Sequence, residues 1–188
     1  MRKLKLQMQI TIDGFVAGSS DEMDWVVFDW DDDLKNYVDE ITKPVDCIIL
    51  GRKLAQGFIP SWTSRIADPE TADAFANKMV NTPKIVFSKT LENIQWQNTQ
   101  LVKGNSVQEI NQLKRQPGKD IIVYGGGSFV SFLIMEGLID EYNLFVNPVA
   151  LGKGMTIFKD LEDKLNLTLV KSKPFDCGIV LLCYEPKR

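Results

Sequence analysis

Val45–Leu50, VDCIIL, is apolar without interruption and stops at Gly51, and Asp120–Tyr124, DIIVY, stops at three consecutive glycines. Short unbroken apolar runs are strands covered on both faces, an environment that a sheet held between helices provides. The segments between them agree. Asp31–Ile41 reads as a helix with acids in its first turn, and Arg52–Phe58 begins another. Pro69–Val80 reads as a third, with Asp68 as its N-cap and Pro69 in its first turn. Val107–Arg115 is stopped by Pro117 and Gly118, and Ser128–Glu136 is closed by Gly137. Lys84–Ser88 and Thr99–Lys103 supply further strands. Leu4, Leu6, Met8, Ile10 and Ile12 alternate with Lys3, Lys5, Gln7, Gln9 and Thr11 at strand period. Beyond Gly137 the helices cease, and Glu141–Val146, Asn166–Lys173 and Gly178–Tyr184 read as strands alone. The pattern predicts an α/β fold: a mostly parallel central sheet flanked by helices, with an antiparallel C-terminal hairpin. With 188 residues, 44% of them hydrophobic, the chain suits a single domain over residues 1–188.

Composition narrows the chemistry. The chain contains no histidine. This removes Ser-His-Asp and Cys-His nucleophiles and His-containing zinc sites, and no metal is expected. Proton chemistry then falls to a carboxylate, Tyr, Lys, Cys or water. A net charge of −3 gives no electrostatic case for nucleic acid or an anionic membrane. No apolar run approaches the roughly 18 residues of a membrane helix, and the N-terminus lacks the apolar core of a signal peptide. Cys47, Cys177 and Cys183 form no C-x-x-C pair, so reduced thiols in a cytoplasmic protein are expected.

Ligands of open α/β sheets bind beyond the carboxyl ends of the strands, where helix N-termini offer free N–H groups. Such ends here carry Gly51-Arg52-Lys53, Ser88-Lys89-Thr90 and Gly125-Gly126-Gly127-Ser128. The glycines match neither G-x-G-x-x-G, since Val130 stands at the third glycine, nor the P-loop, whose lysine is absent. Each end alone reads equally well as a turn. Together they suit one ligand with several phosphates, such as a dinucleotide with an extra 2′-phosphate.

The ordered segments TIDGFVAG (Thr11–Gly18), LGRK (Leu50–Lys53), FSKTL (Phe87–Leu91), VYGGGSF (Val123–Phe129), GLIDEY (Gly137–Tyr142) and NPVALGKG (Asn147–Gly154) resemble the dihydrofolate-reductase-like superfamily. They are most similar to stand-alone relatives of the reductase domain of the riboflavin-pathway deaminase–reductase, RibD. The resemblance implies NADPH as hydride donor. It places the backbone near Ala17 beside the nicotinamide, and Arg52, Ser88 and Lys89 at the 2′-phosphate, with Lys53 alongside. It gives the pyrophosphate to Gly125, Gly126, Gly127, Ser128, Phe129 and the helix starting near Gly51, and counts Tyr124 among the cofactor-binding residues. The family's Thr two residues beyond the Arg is replaced by Leu54, and with no deaminase segment before the reductase-like region a bifunctional form is not expected.

The resemblance also offers a proton donor. Asp33-Leu34-Lys35-Asn36-Tyr37 is similar to the D-L-x-x-F segment that supplies the pterin-binding acid of dihydrofolate reductases, which implies Asp33 as the catalytic acid and Asp29 as second choice. Asp31, Asp32 and Asp33 fit helix capping equally well. Trp25 and Trp30, with Asp29, are placed to wall a flat heterocycle or to fill core. The named activity implied is 5-amino-6-(5-phosphoribosylamino)uracil reductase. Dihydrofolate reductase and a non-catalytic NADPH-binding module are the alternatives, and relatives imply a homodimer.

Overall fold

The computed structural model describes residues 1–187. In chain order the elements are β1 (Leu4–Thr11), α1 (Asp32–Thr42), β2 (Val45–Gly51), α2 (Arg52–Ala67), α3 (Ala74–Asn81), β3 (Lys84–Phe87) and β4 (Thr99–Val102). There follow α4 (Ser106–Arg115), β5 (Asp120–Val123), α5 (Gly127–Met135), β6 (Glu141–Asn147), β7 (Leu167–Pro174) and β8 (Val180–Pro186). They build one eight-stranded sheet in the order β4-β3-β2-β5-β1-β6-β8-β7. From β4 to β6 all neighbours are parallel, and β8 joins β6 antiparallel with β7 outside it as a hairpin. The expected mostly parallel α/β sheet with an antiparallel C-terminal hairpin is what forms.

Helices cover both faces. On one, Ile110 of α4 and Val130, Leu133 and Ile134 of α5 pack on Leu4, Leu6, Met8, Ile121 and Val123. On the other, α2 and α3 cover Ile48, Leu50, Val86 and Ile122, while Leu34, Tyr37 and Val38 of α1 pack on Phe145 and Leu181. The strands read as continuous apolar runs are the buried ones, Ile48, Ile49, Leu50, Ile121, Ile122 and Val123 being almost solvent-free.

Two readings need correction. Residues 69–80 are not one helix starting from an Asp68 cap. Asp68 ends α2 and receives the N–H groups of Glu70, Thr71 and Ala72 in a turn. Asp73 caps the following helix through its carboxylate and the Ala76 N–H at 2.6 Å. Period-2 alternation in β1 implies a strand with one wet face, yet Lys5, Gln7 and Thr11 are buried too. Lys5 is accommodated there by Asp120, 2.9 Å away on the β5 side.

Candidate cofactor and substrate site

The parallel strands all present their carboxyl ends at one edge, so the loops after β1, β2, β3, β4, β5 and β6 converge there. β2 and β5 are direct neighbours, which sets the start of α2 beside the start of α5. Their junction depends on glycine. A Cβ on Gly51 would lie 2.8 Å from the Cβ of Phe129, so only a bare backbone lets the first turn of α5 approach β2. Gly126 has φ 80° and Gly125 φ 146°, left-handed values that side-chain-bearing residues avoid.

The helix starts differ in their caps. Asp31, Asp73 and Asn105 satisfy the first N–H groups of α1, α3 and α4. α2 and α5 begin at Gly51 and Gly126 with no side-chain cap. Phe129 makes the first N–H bond back to Gly126, which leaves the N–H groups of Gly127 and Ser128 ahead of the helical ladder. Two adjacent uncapped helix starts with a Cβ-free approach form a cradle for an anion.

Ala17 is built into the same corner. The loop after β1 pairs with that after β6 through Val16 N–H to Met155 O and Met155 N–H to Ala17 O, both 2.8 Å. A Cβ on Gly154 would fall 2.3 Å from Ala17 O, and one on Gly127 2.3 Å from Met155 Sδ, so these contacts lock Ala17 against the glycine turn. Asp13 secures the far end by accepting from the Thr11 hydroxyl and from the N–H groups of Gly152 and Leu151. The Thr11 hydroxyl and the Gly152 N–H hold its carboxyl below the ordinary range.

Ser88 and Lys89 open on a cleft of about 650 Å³. Phe87 and Phe129 stack at 5.5 Å to form its apolar wall. Lys103, Asn105 and Ser106, unassigned from sequence, line the cleft as well. Their signal was present, since Lys103-Gly104-Asn105 is another strand end carrying a cation and a cap. Ser88 Oγ accepts from the Thr90 and Leu91 N–H groups and lies 3.4 Å from the Thr90 hydroxyl. Arg52 is half-buried and donates to Gln56 at 3.3 Å, while Lys53 is exposed. Lys89 and Lys103 line this cleft, whereas Arg52, expected with them, does not and stands instead at the first turn of α2.

The acidic segment is arranged otherwise. Asp31 is the α1 cap, and the N–H groups of Leu34 and Cys177 hold its carboxyl low. Asp33 is 60% exposed at the side chain and sits 2.6 Å from Lys173 of β7, with β1, β6 and β8 between that strand and β5. In this structure the Asp33 carboxylate is committed to that surface ion pair. Asp29 is exposed. Trp30 is half-buried, donates to Val27 O at 2.7 Å and packs with Leu34 and Phe145. Trp25 is half-buried and donates to Glu22 O at 3.3 Å. Tyr124 turns away from the glycines onto the α2 face, where its ring stacks on Phe58 at 5.5 Å.

Among the described residues no helix is long and apolar enough to cross a membrane, and no cluster of His, Cys, Asp and Glu could hold a metal. Comparison with known proteins supplies relatives. The uncharacterized protein YyaP of Bacillus subtilis (strain 168) is 35% identical over 187 residues, covering 98% of this chain and 95% of the relative. The deaminase/5-amino-6-(5-phosphoribosylamino)uracil reductase of Thermotoga maritima superposes at a TM-score of 0.71 with 18% identity, over 99% of this chain and 57% of that one. Enterococcus faecalis dihydrofolate reductase, solved with NADP(H) and RAB-propyl, superposes at 0.65 with 15% identity, over 99% and 97%. The model of the RibD C-terminal domain matches residues 2–181, and the chain belongs to that family.

Proposed function

We propose that this protein is an NADPH-dependent reductase of the riboflavin-pathway type, acting on 5-amino-6-(5-phosphoribosylamino)uracil or a close heterocyclic relative. The observation that carries the reading is the pair of adjacent uncapped helix starts at Gly51 and Gly126, linked through Phe129 to the Ser88/Lys89 cleft. Family membership and the NADP(H)-bound dihydrofolate reductase of the same fold support it.

On this reading the N–H groups at the starts of α2 and α5 hold the pyrophosphate, and Lys89, Ser88 and Lys103 hold the 2′-phosphate. Arg52 borders the pyrophosphate at the first turn of α2. The loop pairing at Ala17 and Met155 fixes the nicotinamide end and excludes water from it. Bound NADPH supplies the hydride. Trp25 and Trp30 flank the carboxyl end of β6, where Asn147 accepts the Val27 N–H at 2.9 Å, and they border the substrate side.

NADPH binding by calorimetry, followed by loss of its absorbance at 340 nm on adding the ribosylamino-uracil, tests this reading. Turnover of that compound and not of dihydrofolate is expected. NADPH binding without turnover of either would overturn the enzymatic reading and leave a cofactor-binding module.

A further inference from the structure

The α2-side face of β1 and its neighbours carries three levels of polar side chains. Nearest the amino end, Lys5 pairs with Asp120 at 2.9 Å and with Glu141 at 3.9 Å. Nearest the carboxyl end, Asn147 donates to Gln9 Oε1 at 2.7 Å and accepts from Val27. Both levels are satisfied. The middle one is not.

Gln7 of β1 stands opposite Asn143 of β6. The β1–β5 register, ending at Leu6 opposite Val123, puts Tyr124 on the other side of Gln7. Tyr124, the residue that follows β5, Gln7 of β1 and Asn143 of β6 are thus set side by side across the sheet as a row, Tyr124–Gln7–Asn143. Their Tyr124 hydroxyl, Gln7 Oε1 and Asn143 Oδ1 are the buried side-chain polar atoms without a hydrogen-bond partner among the described residues. Asn143 cannot be turned to remedy this, because its Nδ2 already donates to Glu141 at 3.0 Å. A buried unpaired polar atom costs about 1–3 kcal/mol, so three in one row between two satisfied rows is the pattern of a site built for a partner. Tyr124 immediately precedes the glycine turn in the chain, and its ring turns from there onto the α2 face.

We propose that Tyr124, Gln7 and Asn143 form the row that recognises the substrate ring. The inference rests on the reductase reading and adds to it the ring edge that is read. Gln7 Oε1 and Asn143 Oδ1 accept, and the Tyr124 hydroxyl, kept protonated by burial, donates. The complementary edge is a carbonyl, then a ring N–H, then an exocyclic N–H. A 6-aminouracil presents that order through C2=O, N1–H and the 6-amino group. A ring methylated at N1 does not.

Calorimetry with 6-aminouracil and 6-amino-1-methyluracil, on the protein with and without saturating NADP, tests the row. The unmethylated ring should bind at least about tenfold more tightly, since a site built to accept from an N–H rejects the analogue lacking it. Gln7→Met, Asn143→Leu and Tyr124→Phe should each weaken 6-aminouracil about tenfold, leave NADPH affinity unchanged and hold or raise the melting temperature. Unchanged ring affinity with a lowered melting temperature would make the row a scaffold network and overturn the proposal, as would failure of 6-aminouracil to bind a protein that binds NADPH. Ring binding that follows this pattern in a protein unable to bind NADPH would uphold the row and overturn the reductase reading alone.

Discussion

The Asp33 carboxylate and the Lys173 ammonium lie 2.6 Å apart, joining the first turn of α1 to the outer strand β7. Lys173 also sits 5.2 Å above the Phe175 ring, so the pair closes the end of the α1 cluster against the hairpin. With Asp33 mostly exposed, the pair contributes about 0.2–1 kcal/mol. Asp33→Asn should lower stability in urea within that range and reduce turnover less than about threefold, because the carboxylate is spent on a surface contact. A loss of 100-fold or more in kcat, about the least that removing a general acid costs, would restore Asp33 as the proton donor.

Gly126 carries φ 80°, and a Cβ there would also stand 3.4 Å from the Cβ of Leu54. A side chain therefore strains the backbone by about 1–2 kcal/mol per residue in this region and pushes on the residue that borders the cradle. Gly126→Val should cut NADPH affinity at least about tenfold, since the displaced N–H groups are those that face the pyrophosphate. The far-ultraviolet circular dichroism should stay native. Unchanged affinity would reduce the glycines to a turn.

How much of this was legible depended on whether the determining contact is local. The apolar runs of β2 and β5 announced burial because a doubly covered strand needs no alternation. Three glycines in a row marked a backbone conformation, and two of them take positive φ. The helix over 69–80 misled because Asp68 and Asp73 both fit an N-cap; the choice was made by a turn closing on Asp68 and by Arg65, which pairs with Asp73 at 2.6 Å. The Gln7–Asn143–Tyr124 row was invisible for a different reason. Alternation in β1 described a wet face, and only the pairing with β5 and β6 turns that face inward. Asp33 looked catalytic because its segment matches a motif, whereas its partner Lys173 lies 140 residues away.

Lys84 offers a pH signature of folding. It is 2% exposed, its Nζ donates to Val80 O and Thr82 O at the end of α3, and burial pulls its pKa down from 10.5 to about 8. Between those values the unfolded chain binds the proton that the folded one has released, so this group makes stability rise with pH. The penalty is present in full below pH 8 and is relieved toward pH 10.5, a change of about 3 kcal/mol. Chemical denaturation at pH 7.5 and pH 10 should show this rise beneath the general alkaline loss, and Lys84→Met should remove it. A pH dependence identical in the two proteins would place the titration elsewhere.

Ser88 and Lys89 after β3 and Lys103 after β4 line one cleft. An ammonium facing a 2′-phosphate makes a charge-assisted hydrogen bond worth about 1.5–3 kcal/mol, and it has no counterpart when the 2′-oxygen is a hydroxyl. Lys89→Ala should therefore weaken NADPH by roughly tenfold to a hundredfold while leaving NADH unchanged. Lys103→Ala should act in the same direction and more weakly, and Ser88→Ala should remove one neutral hydrogen bond and also loosen the turn that Ser88 Oγ closes with Thr90 and Leu91. Because the Lys89 contact is ionic, its contribution should shrink as salt is raised. Titrating both cofactors into the three variants at low and high salt reads all of this. Equal weakening of NADPH and NADH would move the cations away from the 2′-phosphate.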